Sequence, residues 1–142
     1  MNDLDDRTSQ QPITILVVED HDALRTSLVD WMKDILKDFT FLAARSGEEA
    51  VQIVSQQPPD IVIMDIQLPG MNGIEAVRRI KQMNPQTQAV MLSMYNDHAF
   101  GEEAMKAGAC AYINKHNMQL ELIPTLIRLL PANVVSQFNL HL

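Results

Sequence analysis

The stretch Val62–Gly73, VIMDIQLPGMNG, decides the fold. It continues a short apolar run that starts at Ile61, and it carries an acid, Asp65, directly after that run. Residues of the types that form turns follow the acid, namely proline, glycine and asparagine. A helical pattern of apolar residues then begins at Ile74. A strand, an acidic turn and a helix in this order predict one half of a parallel strand–helix–strand unit.

Similar apolar runs recur along the chain, and as a group they are rich in β-branched residues and too short to be globular helices. They lie at Ile13–Val18, Phe39–Ala44, Ile61–Met64, Ala89–Leu92 and Ala111–Ile113. Most of the runs are continuously apolar, which is typical of strands buried on both faces of a sheet. We therefore predict that they are the strands of a parallel sheet.

Helical patterns separate the predicted strands. They comprise a stripe from Leu24 to Leu36, a capping box at Ser46 and Glu49 whose helix ends before Pro58, the segment between Gly73 and Pro85, about Asp97 to Ala107, and about Met118 to Leu130. Gly108 is placed to end the fourth helix in a left-handed conformation. Because strand and helix alternate five times, the sequence predicts an α/β fold. We expect a flavodoxin-like three-layer sandwich, with a five-stranded parallel sheet in the order 2-1-3-4-5 and five helices.

Length and composition predict one domain. The chain has 142 residues, which is an ordinary size for a single domain with its own core. We expect a flexible polar leader over residues 1–12 and a folded domain over residues 13–130. Residues 131–142 are predicted to be a tail or the start of a linker.

Charge and cysteine content exclude several function classes. The formal net charge of −7 argues against nucleic-acid binding by this chain, because contacts to phosphates need a basic patch. DNA would be bound only through a separate output domain. Cys110 is the only cysteine, so a disulfide within the chain is impossible and a reducing compartment fits. No apolar run approaches the roughly 20 residues of a membrane helix. We expect a cytoplasmic protein that does not contact a membrane.

Polar and charged residues lie at the ends of four of the five predicted strands. Glu19 and Asp20 follow the first strand, Asp65 follows the third, Ser93 ends the fourth, and Lys115 follows the fifth. In the order 2-1-3-4-5, strands 1, 3 and 4 are neighbours and strand 5 lies beside strand 4. These side chains should therefore converge at the carboxyl edge of the sheet, which is where open α/β sheets bind ligands.

This set of residues has a chemical meaning. Crowded carboxylates repel one another, and a divalent cation relieves the repulsion. Mg²⁺ prefers oxygen ligands and can also bridge to a phosphate oxygen. Asp65 can be the nucleophile that forms an aspartyl phosphate, while Lys115 and the Ser93 hydroxyl can pair with the phosphoryl oxygens. Taken singly, each residue has the plainer reading of a solvated turn, a helix cap or a surface side chain, so the hypothesis rests on their joint placement.

Three motifs resemble the receiver domains of two-component response regulators. They are Ile15–Asp20 (ILVVED), the stretch Val62–Gly73, and Ala107–Ala109 leading to Tyr112–Lys115 (YINK). The resemblance covers about residues 13 to 130. It implies a phosphorylation-dependent signalling switch whose phosphoryl group comes from a sensor histidine kinase, and which catalyses only its own phosphorylation and dephosphorylation.

The resemblance implies a role for each residue of the magnesium site. Asp65 matches the phosphoacceptor. Asp20 matches the direct Mg²⁺ ligand, and Glu19 matches the acid that acts through a metal-bound water. Gln67 matches the position whose backbone carbonyl completes the site.

The resemblance also implies the residues of the switch. Ser93 matches the switch hydroxyl, and Lys115 matches the lysine that the family pairs with the phosphoryl group. Tyr112 matches the switch aromatic residue, which turns inward on activation. An added phosphoryl group would bias the segments that carry Ser93 and Tyr112 toward the active packing, and so would control an output domain or partner.

Three positions depart from the usual pattern of the family. His116 follows the lysine where many receivers have a cis-proline, and receivers linked to LuxR-type helix-turn-helix domains often lack that proline, so a transcriptional output is expected. Tyr95 should crowd the attacking water and prolong the life of the phosphoryl group. Pro124 lies in the last helical pattern, so that helix should begin late or be kinked. The fourth helix, fifth strand and last helix form a frequent homodimer face in the family, and Pro124 puts the usual geometry of that face in doubt.

Two alternatives remain open at this point. Haloacid-dehalogenase-like phosphohydrolases also use a strand-end aspartate, magnesium, a hydroxyl and a lysine. They usually carry a second acid two residues after the nucleophile, where this chain has Gln67, and the chain has no room for a substrate cap. A degenerate receiver that only makes protein contacts is the other alternative, and the intact set of acids argues against it.

Overall fold

The structure is a computed structural model that describes residues 12–95 and 98–138. The strands are β1 (Thr14–Val18), β2 (Thr40–Ala44), β3 (Ile61–Asp65), β4 (Gln88–Ser93) and β5 (Ala111–Asn114). The helices are α1 (Asp22–Ile35), α2 (Gly47–Gln56), α3 (Gly73–Met83), α4 (His98–Ala107), α5 (Met118–Leu129) and α6 (Ala132–Phe138), with a short 3₁₀ turn at Lys115–Asn117. The predicted leader lies outside the described residues except for Pro12.

The five strands form one parallel sheet in the order β2-β1-β3-β4-β5, which confirms the predicted topology. Strands β3 and β4 are buried almost throughout, as their continuous apolar runs predicted. Alternate residues of the inner strands enter two separate cores, because successive side chains of a strand point to opposite faces. One core joins the sheet to α2, α3 and α4, and the other joins it to α1, α5 and α6. The molecule is therefore the expected three-layer sandwich.

Strands β3, β4 and β5 end one residue later than the apolar runs that predicted them, whereas β1 and β2 begin one residue later than theirs. Ser93 is the last residue of β4, as predicted, and Asp65 and Asn114 are the last residues of β3 and β5 rather than the first residues after them. Because each of these residues still has sheet pairing, its backbone position is fixed by the neighbouring strand. The carboxyl edge of the sheet is thus a rigid platform for polar side chains.

The ends of two helices follow the signals in the sequence. The Ser46 hydroxyl accepts a hydrogen bond from the Glu49 amide at 3.1 Å, as a capping box requires. The Glu49 carboxylate accepts from the amide of Arg45 at 3.3 Å, so the return bond reaches one residue further back than in the standard box. At the end of α4, Gly108 has a φ of +117°, and the Ala109 amide donates to the Ala104 carbonyl. Gly108 therefore ends α4 as predicted.

The structure adds a sixth helix to the five that the sequence predicts. Helix α6 lies in the segment predicted to be a tail, and its Val134 is buried in the core that also contains Ile13 and Leu130. The amides of Val134 and Val135 both donate to the carbonyl of Pro131, which starts the helix. Part of the segment after Leu130 is therefore packed against the sandwich.

Pro124 lies in the middle of α5, so the predicted late start of this helix is wrong, and the other predicted alternative, a kink at the proline, stays a prediction. An interior proline has no N–H to donate to the carbonyl four residues earlier, which here belongs to Leu120. Leu120 is 80% exposed, so its own face of the helix lies toward solvent, where water would hydrate the carbonyl. The position of the missing bond explains how the helix continues through the proline.

In the described ranges, no helix combines the length and apolar character needed to cross a membrane.

We predict that Pro124→Ala raises the free energy of unfolding by about 2–2.6 kcal/mol. The alanine restores an amide donor for the Leu120 carbonyl and removes a residue that costs about 3 kcal/mol in a regular helix interior. The loss of proline's restriction on the unfolded chain offsets about 0.4–1 kcal/mol of this gain. Urea denaturation followed by circular dichroism measures the difference.

The matched control is Pro131→Ala, because Pro131 lies between α5 and α6. There the alanine gains no helical bond, so stability should fall by less than about 1 kcal/mol. If Pro124→Ala does not stabilise the protein, the backbone of α5 already satisfies the Leu120 carbonyl in another way.

Candidate functional site

Three carboxylates meet at the carboxyl edge of the sheet. One oxygen from each of Glu19, Asp20 and Asp65 lies within 4.8 Å of the other two. Glu19 and Asp65 are buried, and Asp20 is exposed. The three acids line a cavity of about 600 Å³, together with Gln67 and Lys115 among others. The structure therefore brings together the acids and the lysine that the sequence placed at separate strand ends.

The sheet itself places the two buried acids. The amide of Glu19 donates to the Ala44 carbonyl at 3.1 Å, which continues the pairing of β1 with β2 by one residue. Asp65 is paired with Leu92 in β4, and the amide after it, that of Ile66, donates to the Leu92 carbonyl at 3.0 Å. The backbone of both acids is thus fixed at the carboxyl ends of the neighbouring strands β1 and β3, so their side chains start from adjacent points.

Lys115 bridges the two buried acids. Its ammonium nitrogen Nζ lies 2.8 Å from Oε1 of Glu19 and 3.1 Å from Oδ2 of Asp65. Backbone amides complete the bonding of both acids, since His21 donates to Oε2 of Glu19 and Gln67 donates to Oδ1 of Asp65. Each oxygen of the two buried carboxylates therefore has a donor within the protein.

The pKa values of the three groups reflect this arrangement. Burial raises the pKa of the Asp65 carboxyl, and the negative charge of Glu19 adds to the rise, although bonds from Gln67 and Lys115 oppose it. Burial also acts to raise the pKa of Glu19, but the bonds from Lys115 and the His21 amide outweigh it and hold that pKa below its usual value. Burial acts to lower the pKa of Lys115, but the two acids outweigh it and hold that pKa above its usual value, so the lysine is charged.

The donor set fits Mg²⁺. When all three acids are ionised, three negative charges face the single positive charge of Lys115, so the site carries excess negative charge. Carboxylate oxygens are the ligands that Mg²⁺ prefers, and Mg²⁺ keeps several waters when few protein ligands are present. Exposed Asp20 lies at the open side of the cavity, where a hydrated cation can reach it.

Ser93 and Tyr112 meet at a different point, the backbone of Tyr95. The Ser93 hydroxyl is buried at the end of β4 and accepts a hydrogen bond from the Tyr95 amide at 3.0 Å. The Tyr112 hydroxyl donates to the Tyr95 carbonyl at 2.9 Å. The Tyr95 ring is half-exposed and is not among the residues that line the acidic cavity, whereas Met94 is. The geometry therefore gives no support to crowding of the cavity by the Tyr95 ring.

Two further residues shape the site, and the sequence did not single out their roles. Gly73 begins α3 so close to the end of β3 that an added Cβ would touch the Asp65 carbonyl and stand 2.8 Å from the Cα of Ile66. Arg25 donates from Nη1 to the Glu19 carbonyl at 2.9 Å. The spacing of Arg25 from Asp22 on one helix face was a signal for an ion pair. Nothing in that spacing indicated a bond to the loop that carries the acids.

Residues 15–127 match the family of response regulator receiver domains. Since this match covers most of the chain, the chain belongs to that family, whose members are signalling proteins of two-component systems. The transcriptional activator protein ExaE of Pseudomonas putida is 38% identical over 101 residues, which is 71% of this chain and 47% of ExaE. The chain spans about half the length of the curated relatives it matches.

Solved structures of response regulators are similar to this structure, in agreement with the family match. A LuxR-family two-component response regulator from Aurantimonas sp. SI85-9A1 superposes with a TM-score of 0.78 at 26% identity, over 91% of this chain and 96% of that one. The response regulator TrrA from Thermotoga maritima, solved in complex with Mg²⁺-BeF, superposes with a TM-score of 0.74 at 28% identity, over 83% of this chain and 99% of that one. These matches support the receiver assignment and its likeness to LuxR-type regulators. They give no support to the phosphohydrolase alternative.

We predict that Gly73→Ala lowers the free energy of unfolding by about 1–3 kcal/mol, because the new Cβ meets backbone atoms that cannot move without shifting β3 or α3. Thermal or urea unfolding measures the loss. The same change should move the backbone amide signals of Asp65 and Gln67 in an NMR spectrum.

Gly101→Ala in α4 is the matched control. An added Cβ at Gly101 meets open space, so this alanine should stabilise the helix by about 0.5–1 kcal/mol. Equal effects of the two substitutions would show that the contact between Gly73 and Asp65 does not hold the strand end in place.

Proposed function

We propose that Asp65 accepts a phosphoryl group from a sensor histidine kinase, with Mg²⁺ held by Asp20, Asp65 and the backbone carbonyl of Gln67, and by Glu19 through a water. The observation that carries the proposal is the buried contact of Lys115 with Glu19 and Asp65, beside exposed Asp20. A buried ion pair is costly to desolvate and is weak evidence for stability alone. Its position at the strand ends, where α/β sheets bind ligands, favours a functional reason for it.

The residues of the cavity divide the work of phosphoryl transfer. A carboxylate oxygen of Asp65 forms the new bond to phosphorus, while the bond from phosphorus to the donor histidine nitrogen breaks and its electron pair stays on that nitrogen. Lys115 offers a charged donor 3.1 Å from Oδ2 of Asp65, which is the point where negative charge would be added. Bound Mg²⁺ would supply further neutralisation of phosphoryl charge.

The switch would pass through Tyr95. The Ser93 hydroxyl accepts from the Tyr95 amide and keeps its own proton, which it can donate to a phosphoryl oxygen on Asp65. Because the Tyr112 hydroxyl holds the carbonyl of the same residue, a shift at Ser93 would be transmitted to Tyr112 in β5. These contacts support the proposed roles of Ser93 and Tyr112 as the switch pair.

The output is proposed from the relatives. The likeness to LuxR-family regulators favours control of transcription, with DNA bound by a separate domain rather than by this acidic chain. A homodimer through α4, β5 and α5 is a further proposal, and both helices carry an exposed apolar side chain, Met105 and Leu120. A cytoplasmic location agrees with the single cysteine of the chain.

We predict one phosphoryl adduct after incubation with Mg²⁺ and acetyl phosphate, measured as intact mass. Asp65→Asn should show no adduct, because an amide cannot act as the nucleophile. Omission of divalent metal should leave little adduct on the wild type.

Asp60→Asn is the matched control. Asp60 lies at the opposite end of β3 and accepts a hydrogen bond from the Thr14 amide at 2.8 Å, far from the proposed chemistry. This variant should take up one phosphoryl group like the wild type. Persistence of the adduct on Asp65→Asn, or its loss only on Asp60→Asn, would contradict the proposal.

We also predict that Tyr112→Phe leaves phosphoryl uptake unchanged but loosens Tyr95. Removal of one hydrogen bond worth about 1 kcal/mol should speed amide hydrogen exchange at Tyr95 by roughly five-fold. NMR of the unphosphorylated protein measures this rate. Tyr95→Phe is the control, because it removes a hydroxyl but keeps the carbonyl that Tyr112 holds. If exchange is unchanged in Tyr112→Phe, the two residues are not coupled in this way.

A further inference from the structure

The loop between β1 and α1 carries two of the three acids of the site, and the Arg25 side chain contacts both ends of this loop. Arg25, in the first turns of α1, donates from Nη1 to the Glu19 carbonyl at 2.9 Å and from Nη2 to Oδ1 of Asp22 at 2.7 Å. The Arg25 side chain is only 13% exposed. Its two contacts, with Glu19 and Asp22, lie on either side of Asp20 and His21, so the guanidinium links the two ends of the loop.

The first of these contacts bears directly on Asp20. The Glu19 carbonyl and the Asp20 amide belong to one planar peptide unit, so fixing the carbonyl also fixes the direction in which the chain enters Asp20. Glu19 and Asp65 are held by Lys115 and by backbone amides, and they are buried. Asp20 is exposed, so its position depends mainly on the backbone that carries it.

We propose that Arg25 is a positioning residue for cation binding, which holds the Glu19–Asp20 peptide so that the Asp20 carboxylate faces Glu19 and Asp65. This inference rests on the proposed function, because it assumes that the three acids hold Mg²⁺. It assigns to Arg25 no contact with the metal or with the phosphoryl group.

The positioning role and the charge of Arg25 predict opposite changes in Mg²⁺ affinity when Arg25 is removed. A cationic side chain beside an acidic cavity repels Mg²⁺, so removal of its charge alone would tighten metal binding. If Arg25 acts by holding the peptide, its removal weakens metal binding although the repulsion is relieved. The direction of the change in Mg²⁺ affinity therefore separates the two.

Arg45 provides a matched control for the charge. Its Nε lies 4.0 Å from Oδ1 of Asp22, the same oxygen that Arg25 contacts, and its side chain is 70% exposed. Among the described contacts, Arg45 has none with the Glu19 carbonyl. Arg45→Gln thus removes a guanidinium charge that lies beside Asp22 and leaves both hydrogen bonds of Arg25 in place.

The experiment is a Mg²⁺ titration by isothermal calorimetry on the wild type, Arg25→Gln, Arg45→Gln and Arg25→Lys, each checked by circular dichroism for a folded state. Arg25→Gln should raise the Kd for Mg²⁺ by about 10-fold, the lower end of the effect of removing a residue that orients a metal ligand. Arg45→Gln should leave the Kd unchanged or lower it. Arg25→Lys can reach only one of the two acceptors and should raise the Kd by less than Arg25→Gln.

Each outcome decides a separate question. A wild type that binds Mg²⁺ while Arg25→Gln binds it equally well or more tightly overturns the inference and leaves the proposed function standing. A wild type that does not bind Mg²⁺ overturns both. If Arg25→Gln does not fold, Arg25→Lys is compared with Arg45→Lys, and equal Kd values for these two variants overturn the inference.

Discussion

The contact of Lys115 with Glu19 and Asp65 is the interaction on which the site depends. Two carboxylates buried side by side would repel in a place that water reaches poorly, and one of them would be driven to take up a proton. The ammonium group, at 2.8 and 3.1 Å from the two acids, makes their proximity tolerable without removing their charge. The acids can therefore remain adjacent while Asp20 and the cavity beside them stay open to solvent.

The order of the strands is what makes this contact reachable. Lys115 lies 96 residues from Glu19 and 50 residues from Asp65 in the sequence. It follows β5, which is separated from β3 by β4, so its side chain must cross the end of β4 over roughly 10 Å between strand axes. The residue that ends β4 is Ser93, which is small and buried. The strand order therefore requires a long side chain at Lys115 and a small one at Ser93, and the proposed chemistry requires the same two residues.

The parts of this structure that the sequence could predict are those that depend on strand ends. The apolar runs gave the sheet, and the sheet order brought Glu19, Asp65 and Lys115 together. The bond from Arg25 to the Glu19 carbonyl could not be predicted, because spacing on a helix places a side chain on a face but does not name a backbone partner in a loop. Burial of Val134 in α6 depends on core surfaces supplied by other elements, and a helix of seven residues is too short to show a clear periodic signal.

A phosphoryl group on Asp65 would compete with Glu19 for the ammonium group of Lys115, which the two acids share. The group brings about −1.5 to −2 charges, so Lys115 would be drawn toward it and away from Oε1 of Glu19. Glu19 would still keep the His21 amide on its other oxygen, so its carboxylate would stay in place and become available to a metal-bound water. Under the proposed function, Ser93 would donate to the phosphoryl group while its oxygen still accepts from the Tyr95 amide. Tyr95 would then carry the change of charge from Ser93 to Tyr112, whose hydroxyl holds the Tyr95 carbonyl.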